Sequence, residues 1–175
     1  DPSVSAAFKE SQDRIQTMAF IHENLYIKKS MSEINIKEYL ESLLKDRIIA
    51  DSTDNRKIDL KTNFPDINFK IDTILPLGLL LNEMVTNSLK HAFPHRRKGS
   101  INVSITKKGK EYLFDYRDNG IGFSEINSNK ESRNTAHSVS TLGILLIETF
   151  ALQLDGIIKK TSNFKGTHYR VKFKT

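Results

Sequence analysis

The stretch Leu79-Leu80-Leu81-Asn82-Glu83-Met84-Val85-Thr86-Asn87-Ser88-Leu89-Lys90-His91-Ala92-Phe93 is mostly apolar and meets no helix breaker until Pro94. Successive residues of an α-helix turn by about 100°, so Glu83 and Asn87 stand about 40° apart and Asn87 and Lys90 about 60°. These three side chains share one narrow strip on a cylinder that is otherwise apolar. A helix of this kind belongs at the centre of a domain, and its polar strip needs a reason to be there. Magnesium takes oxygen ligands, keeps several waters and needs only one or two protein groups beside substrate phosphates, so the strip suits a hydrated cation. Asn82 points about 100° away from Glu83 and lies off the strip.

Downstream, Ile101-Val103-Ile105 and Tyr112-Phe114-Tyr116 alternate with polar residues, the period of half-buried strands, and Lys107-Lys108-Gly109-Lys110 joins them as a hairpin. The second strand runs into Asp118-Asn119-Gly120-Ile121-Gly122. Alone this is a turn sequence. After a strand and before a long polar segment it offers more: Asp118 is an acceptor-only side chain suited to an exocyclic amine, and Gly120 and Gly122 let backbone approach a flat ligand. Ser124 to Ser140 has no period and reads as a lid-like loop, poorly ordered without a ligand.

The remaining elements follow from the same periods. Ile36 to Ile49 repeats as a helix, Ile58 to Phe64 alternates as a strand, and Pro65-Asp66 turns the chain. Thr73 to His91 forms the longest helix of this part, with Pro76 in or near its first turn. Leu142 to Leu154 returns to helical period, and Gly156–Thr161 and His168–Phe173 close the sheet. The sum is a two-layer α+β sandwich, antiparallel strands on one side and about three helices on the other. Ahead of it, residues 5 to 27 form one amphipathic helix whose seam of Phe8, Ile15, Met18, Ala19, His22 and Leu25 needs a helical partner, from a symmetry mate or from sequence upstream. The division expected is 1–30 for this helical region and 31–175 for the sandwich.

Composition narrows the field. No run approaches the roughly 20 apolar residues that cross a bilayer, and the N-terminus has no signal-peptide pattern, so no membrane contact is expected. Zero cysteines exclude disulfides and thiolate metal sites and fit a reducing compartment. The net charge of +6 favours anionic ligands. His95-Arg96-Arg97-Lys98 is a solvated loop rather than a nucleic-acid patch, because no aromatic platform accompanies it. Zinc held by His91 and His95 would need a helix continued through Pro94.

With these residues in view, the chain resembles the GHKL superfamily of gyrase, Hsp90, MutL and histidine-kinase ATPases, and within it the sensor histidine kinases. Leu79 to Phe93 resembles the N box, Asp118 to Phe123 the G1 box, Ser140-Thr141-Leu142-Gly143 the G2 box, and Gly166-Thr167 the closing threonine motif. Thr141 stands where many of these kinases have a first glycine. His22-Glu23-Asn24-Leu25-Tyr26 is similar to the "H-E-x-L-Y" ending of a dimerisation helix. The resemblance implies a Bergerat ATP-binding fold with an N-terminal helix from a dimerisation hairpin. It implies that Asn87 coordinates magnesium, that Lys90 reaches phosphate oxygens, and that Glu83 holds the position that activates water in hydrolysing relatives. It further implies that His91 stacks or hydrogen-bonds near the nucleotide and that Asp118 accepts from the adenine amine. Thr167 fixes the same edge through water, and Leu142 and Gly143 open a phosphate-binding helix start.

The function so implied is the ATP-binding catalytic domain of a cytoplasmic two-component histidine kinase. It takes ATP and Mg²⁺, forms a homodimer in the full-length protein and passes phosphoryl through a histidine to a response regulator receiver domain. The accepting histidine is expected upstream of Asp1, and His22 reads as a helix-interface residue. Two alternatives stand beside it: an ATPase or serine kinase of the superfamily using Glu83 as base, and a nucleotide-binding module without phosphotransfer.

Overall fold

The computed structural model describes residues 5, 8, 11, 12, 15, 19, 23, 33–51, 58–93, 98–122 and 136–175. Its elements in chain order are β1 (Ile34–Asn35), α1 (Ile36–Asp51), β2 (Ile58–Asn63), β3 (Asn68–Phe69) and α2 (Ile71–Asn87), which runs into a π-helical turn at Ser88–Ala92. There follow β4 (Gly99–Lys108), β5 (Glu111–Asp118), α3 (Ala136–Gln153), β6 (Ile157–Asn163) and β7 (Gly166–Phe173). Five strands form one sheet in the order β2-β4-β5-β7-β6, and β1 pairs with β3 in a short ribbon beside it. The helices cover one face. The result is the two-layer α+β sandwich that the periodicity predicts.

Alternation along the strands decides which face is covered. In β5, Tyr112, Phe114 and Tyr116 are buried, and opposite them in β7 stand Phe173, Val171 and Tyr169, also buried. Ile101, Val103 and Ile105 of β4 complete the inner face. Against it lie Leu77, Leu80, Leu81 and Met84 of α2, with Ile147, Phe150 and Ala151 of α3. Phe114 is fully buried at the middle strand. Phe114→Ala is therefore expected to cost about 3–5 kcal/mol of stability. Urea unfolding checks this, and a loss below about 1 kcal/mol would mean that the core repacks around the gap.

Three differences from the expected elements have physical causes. β2 pairs with β4 in parallel, Ile58 opposite Gly99, because the connection between them passes through β3 and α2 instead of a tight turn. Pro76 sits in the second turn of α2, where its missing N–H leaves a single first-turn carbonyl, that of the exposed Asp72, without its helical donor. α3 begins at Ala136, so the final residues of the expected loop Ser124 to Ser140 are helical. The rest of that loop lies outside the described residues. In the N-terminal region Ser5, Phe8, Ser11, Gln12, Ile15, Ala19 and Glu23 are helical, and Phe8 and Ile15 are 73% and 67% exposed. Met18, His22 and Leu25 of the expected seam lie outside the described residues.

Candidate functional site

Helix α2 brings twelve consecutive or near-consecutive buried positions across the sheet and then changes pitch. From Ser88 the backbone bonds widen into a π turn, a feature that recurs at functional sites because it re-aims side chains. Asn87, Ser88, His91 and Ala92 are thereby presented with Met84 to one cleft, whose opposite wall is Asp118, Gly122, Thr167 and Tyr169.

Buried hydrogen bonds fix the floor of this cleft. The Asp118 carboxylate, 7% exposed, accepts at Oδ1 from the backbone N–H groups of Gly120 at 2.9 Å and Thr167 at 3.1 Å. At Oδ2 it accepts from the Ser88 hydroxyl at 2.7 Å. An ionised carboxylate cannot donate, so the Ser88 proton is committed to it. The Tyr116 hydroxyl, 2.8 Å from Ser88 Oγ and 3.1 Å from the Met84 carbonyl, must then donate. Burial pushes the Tyr116 phenol well above its usual range, which keeps that donor protonated. The relay from Tyr116 through Ser88 to Asp118 ties the middle strand, the π turn and the β5 end into one unit.

The backbone after β5 is held as tightly. Asn119 Oδ1 accepts from Ser100 N–H at 2.7 Å, Asn119 N–H donates to Ser100 carbonyl at 3.2 Å, and Ile121 N–H donates to Ala92 carbonyl at 3.0 Å. A Cβ on Gly120 would overlap Ala92 and stand 2.6 Å from its carbonyl oxygen. Only glycine lets strand end and π turn approach this closely. Thr167 is buried, its hydroxyl 3.1 Å from that of Ser162.

Of the residues that the sequence nominates, Asn87, His91, Asp118, Gly122 and Thr167 meet at the cleft, and Gly120 is packed directly behind it. Four others are placed elsewhere. Glu83 is 1% exposed and is not among the residues that line the cleft. Lys90 is exposed and is not among the lining residues, because the π turn breaks the single strip that regular helical pitch predicts. Leu142 is 38% exposed, and both it and Gly143 lie inside α3. The expected helix start at Gly143, with its free N–H groups for phosphate, is corrected to Ala136. Ser88, Tyr116 and Tyr169 went unnominated. The alternation of β5 and β7 marks both tyrosines as inward-facing, and a buried phenol always raises the question of its partner.

Residues 72–175 match the family described as histidine kinase-, DNA gyrase B-, and HSP90-like ATPase. The chain belongs to that family. Residues 1–62 match a second family, described as histidine kinase. Histidine-kinase structures share the fold: the histidine kinase domain of the Erythrobacter litoralis EL346 blue-light activated kinase superposes with a TM-score of 0.67 at 20% identity, covering 82% of this chain and 64% of that one. The longer EL346 structure gives a TM-score of 0.73 at 19% identity, covering 97% of this chain and 49% of that one. This chain thus spans less than two thirds of either. Among curated relatives, the anti-sigma F factor of Clostridium botulinum is 30% identical over 107 residues, 59% of this chain and 73% of that protein. The anti-sigma F factor of Clostridium kluyveri is 27% identical over 105 residues.

The family-matching region coincides with the sheet and helices that build the cleft. Among the described residues no helix is long and apolar enough to cross a membrane.

Proposed function

We propose that the chain is the catalytic ATP-binding domain of a cytoplasmic two-component sensor histidine kinase, using Mg-ATP to phosphorylate a histidine from which a response regulator receiver domain is served. The observation that carries this reading is the pinned carboxylate of Asp118. A carboxylate offers about four acceptor positions, and three hydrogen bonds from described residues occupy it. The remaining position would take the exocyclic amine of adenine, since Asp118 lines the cleft. The glycine-lined backbone beside it suits a flat base.

Asn87 projects a carboxamide into the same cleft from α2 and is the residue that would hold magnesium; Lys90, one turn on and exposed, would reach phosphate oxygens from outside the lining. His91 and Thr167 would bracket the nucleotide from the π turn and from β7. When bound, Mg-ATP supplies the phosphoryl group to be transferred. The chain's own contribution is positioning and charge neutralisation, the main source of catalysis in such reactions. Homodimerisation of the full-length protein through the N-terminal helix completes the reading. Asn87→Asp is expected to lower Mg-ATP affinity about tenfold, by adding negative charge beside phosphate. Calorimetry checks it, and unchanged affinity would remove Asn87 from the metal.

A second reading has its own support, because the curated relatives are anti-sigma F factors: a kinase of serine, or an ATPase with Glu83 as base. Labelled ATP separates the two. Phosphohistidine is lost in acid and survives base, whereas phosphoserine does the reverse. Acid-labile label on a histidine-bearing dimerisation hairpin supports the histidine kinase. Acid-stable label on a protein serine, or phosphate release with no acceptor, supports the alternative.

A further inference from the structure

Tyr169 of β7 is 3% exposed and lines the cleft beside Asp118 and Thr167. Its hydroxyl oxygen is fully buried and has no hydrogen-bond partner among the described residues. Other hydroxyls around the floor are spoken for. Ser88 donates to Asp118, Tyr116 donates to Ser88, and the Thr167 hydroxyl is shared with Ser162.

The ring itself is well fixed. Tyr116 packs against it with centroids 6.5 Å apart, and the Lys160 ammonium lies 5.7 Å from its centroid on the neighbouring strand. Burial, with the carboxylates of Asp118 and Glu148 adding to it, raises the phenol above its usual range. The group is thus a neutral donor at any ordinary pH. A buried donor without a partner is costly and calls for a reason, and this one belongs to a residue that lines the cleft, where a bound ligand can supply the acceptor.

We propose that the Tyr169 hydroxyl is a specificity-determining group of the nucleotide site, donating to a ring nitrogen that flanks the exocyclic amine of the base. The inference rests on the ATP reading above and deepens it. Asp118 and Tyr169 line the same cleft, the one offering an acceptor and the other a donor. Adenine presents the matching pair, an amine hydrogen and a ring-nitrogen acceptor side by side. Guanine puts a carbonyl oxygen where adenine has its amine, so that oxygen would confront the Asp118 carboxylate. Donor and acceptor together read the base, where Asp118 alone would read only the amine.

The test is Tyr169→Phe in the 175-residue chain, with thermal melting and titration by ATP, GTP, 1-deaza-ATP and 7-deaza-ATP. The variant is expected to melt at the same temperature as the parent or higher, because it loses a hydroxyl that no described residue satisfies. Its ATP affinity is expected to fall about fivefold to tenfold, the worth of one neutral hydrogen bond, with GTP binding unmoved. One deaza analogue, the one lacking the contacted nitrogen, should bind parent and variant alike. ATP affinity unchanged in the variant overturns the proposal. So does a lowered melting temperature with equal losses for every nucleotide, which marks a structural hydroxyl. A parent chain that binds no adenine nucleotide overturns the ATP reading and this proposal together.

Discussion

Asp118→Asn is expected to reduce ATP affinity about a hundredfold, roughly 2.7 kcal/mol, while leaving the domain folded. The two backbone N–H groups of Gly120 and Thr167 point at one carboxylate oxygen, so the carboxamide must place its own oxygen there. Its NH₂ then occupies the Oδ2 position, facing Ser88. Ser88 can turn and accept, which preserves the buried contact. The amine of adenine cannot adapt in the same way. It meets a second donor where it had an acceptor, and it loses a hydrogen bond to a charged group, the stronger kind. Guanine carries an acceptor at that point, so the ratio of ATP to GTP affinity should collapse further than ATP affinity alone suggests. Calorimetric titration of the variant with both nucleotides decides it. ATP binding within a factor of two of the parent would show that the base is not read at Asp118.

Gly166→Ala is expected to cost about 3 kcal/mol of stability, a large loss for the addition of a single methyl group. Gly166 opens β7 at φ 123°, a region that residues with a Cβ seldom adopt. The space is also closed. A Cβ there would overlap the carbonyl oxygen of Asp118 and stand 2.8 Å from its carbonyl carbon and 3.0 Å from Asn119 Cα. These are backbone atoms of a segment held by the Asn119–Ser100 pair, so no side chain can swing aside to relieve the overlap. For a chain of this size the loss corresponds to a melting temperature lower by roughly 6–12 °C. The same shift would move Asp118, so nucleotide affinity should drop with it. A melting temperature within about 2 °C of the parent would show that the β6–β7 turn is not locked against Asp118 as described.

The layers were legible because they depend on periods that sequence carries directly. Alternation at Ile101-Val103-Ile105 and Tyr112-Phe114-Tyr116 marks the inner face of β4 and β5, and the apolar cylinder from Leu77 to Leu89 marks the helix laid across them. The glycines around Asp118 were readable for the same reason, since a turn that follows a strand needs them. What escaped was set by tertiary contact. The π turn at Ser88–Ala92 has no composition of its own, and it separates Lys90 from Asn87, which regular pitch puts on one strip. Ser88 enters the site through that turn alone. The parallel pairing of β2 with β4 depends on a crossover spanning α2, which local alternation cannot report. The start of α3 at Ala136 was hidden by a segment rich in serine and threonine, residues that compete locally with helical hydrogen bonds.

Calorimetric titration of the chain with ATP, ADP and GTP, each with and without magnesium, tests the central claim most directly. Binding of adenine nucleotides that strengthens with magnesium, with GTP at least tenfold weaker, is the result that the Asp118 floor and the Asn87 wall predict. Equal affinity for ATP and GTP, or no binding of any nucleotide, would contradict an adenine site in this cleft.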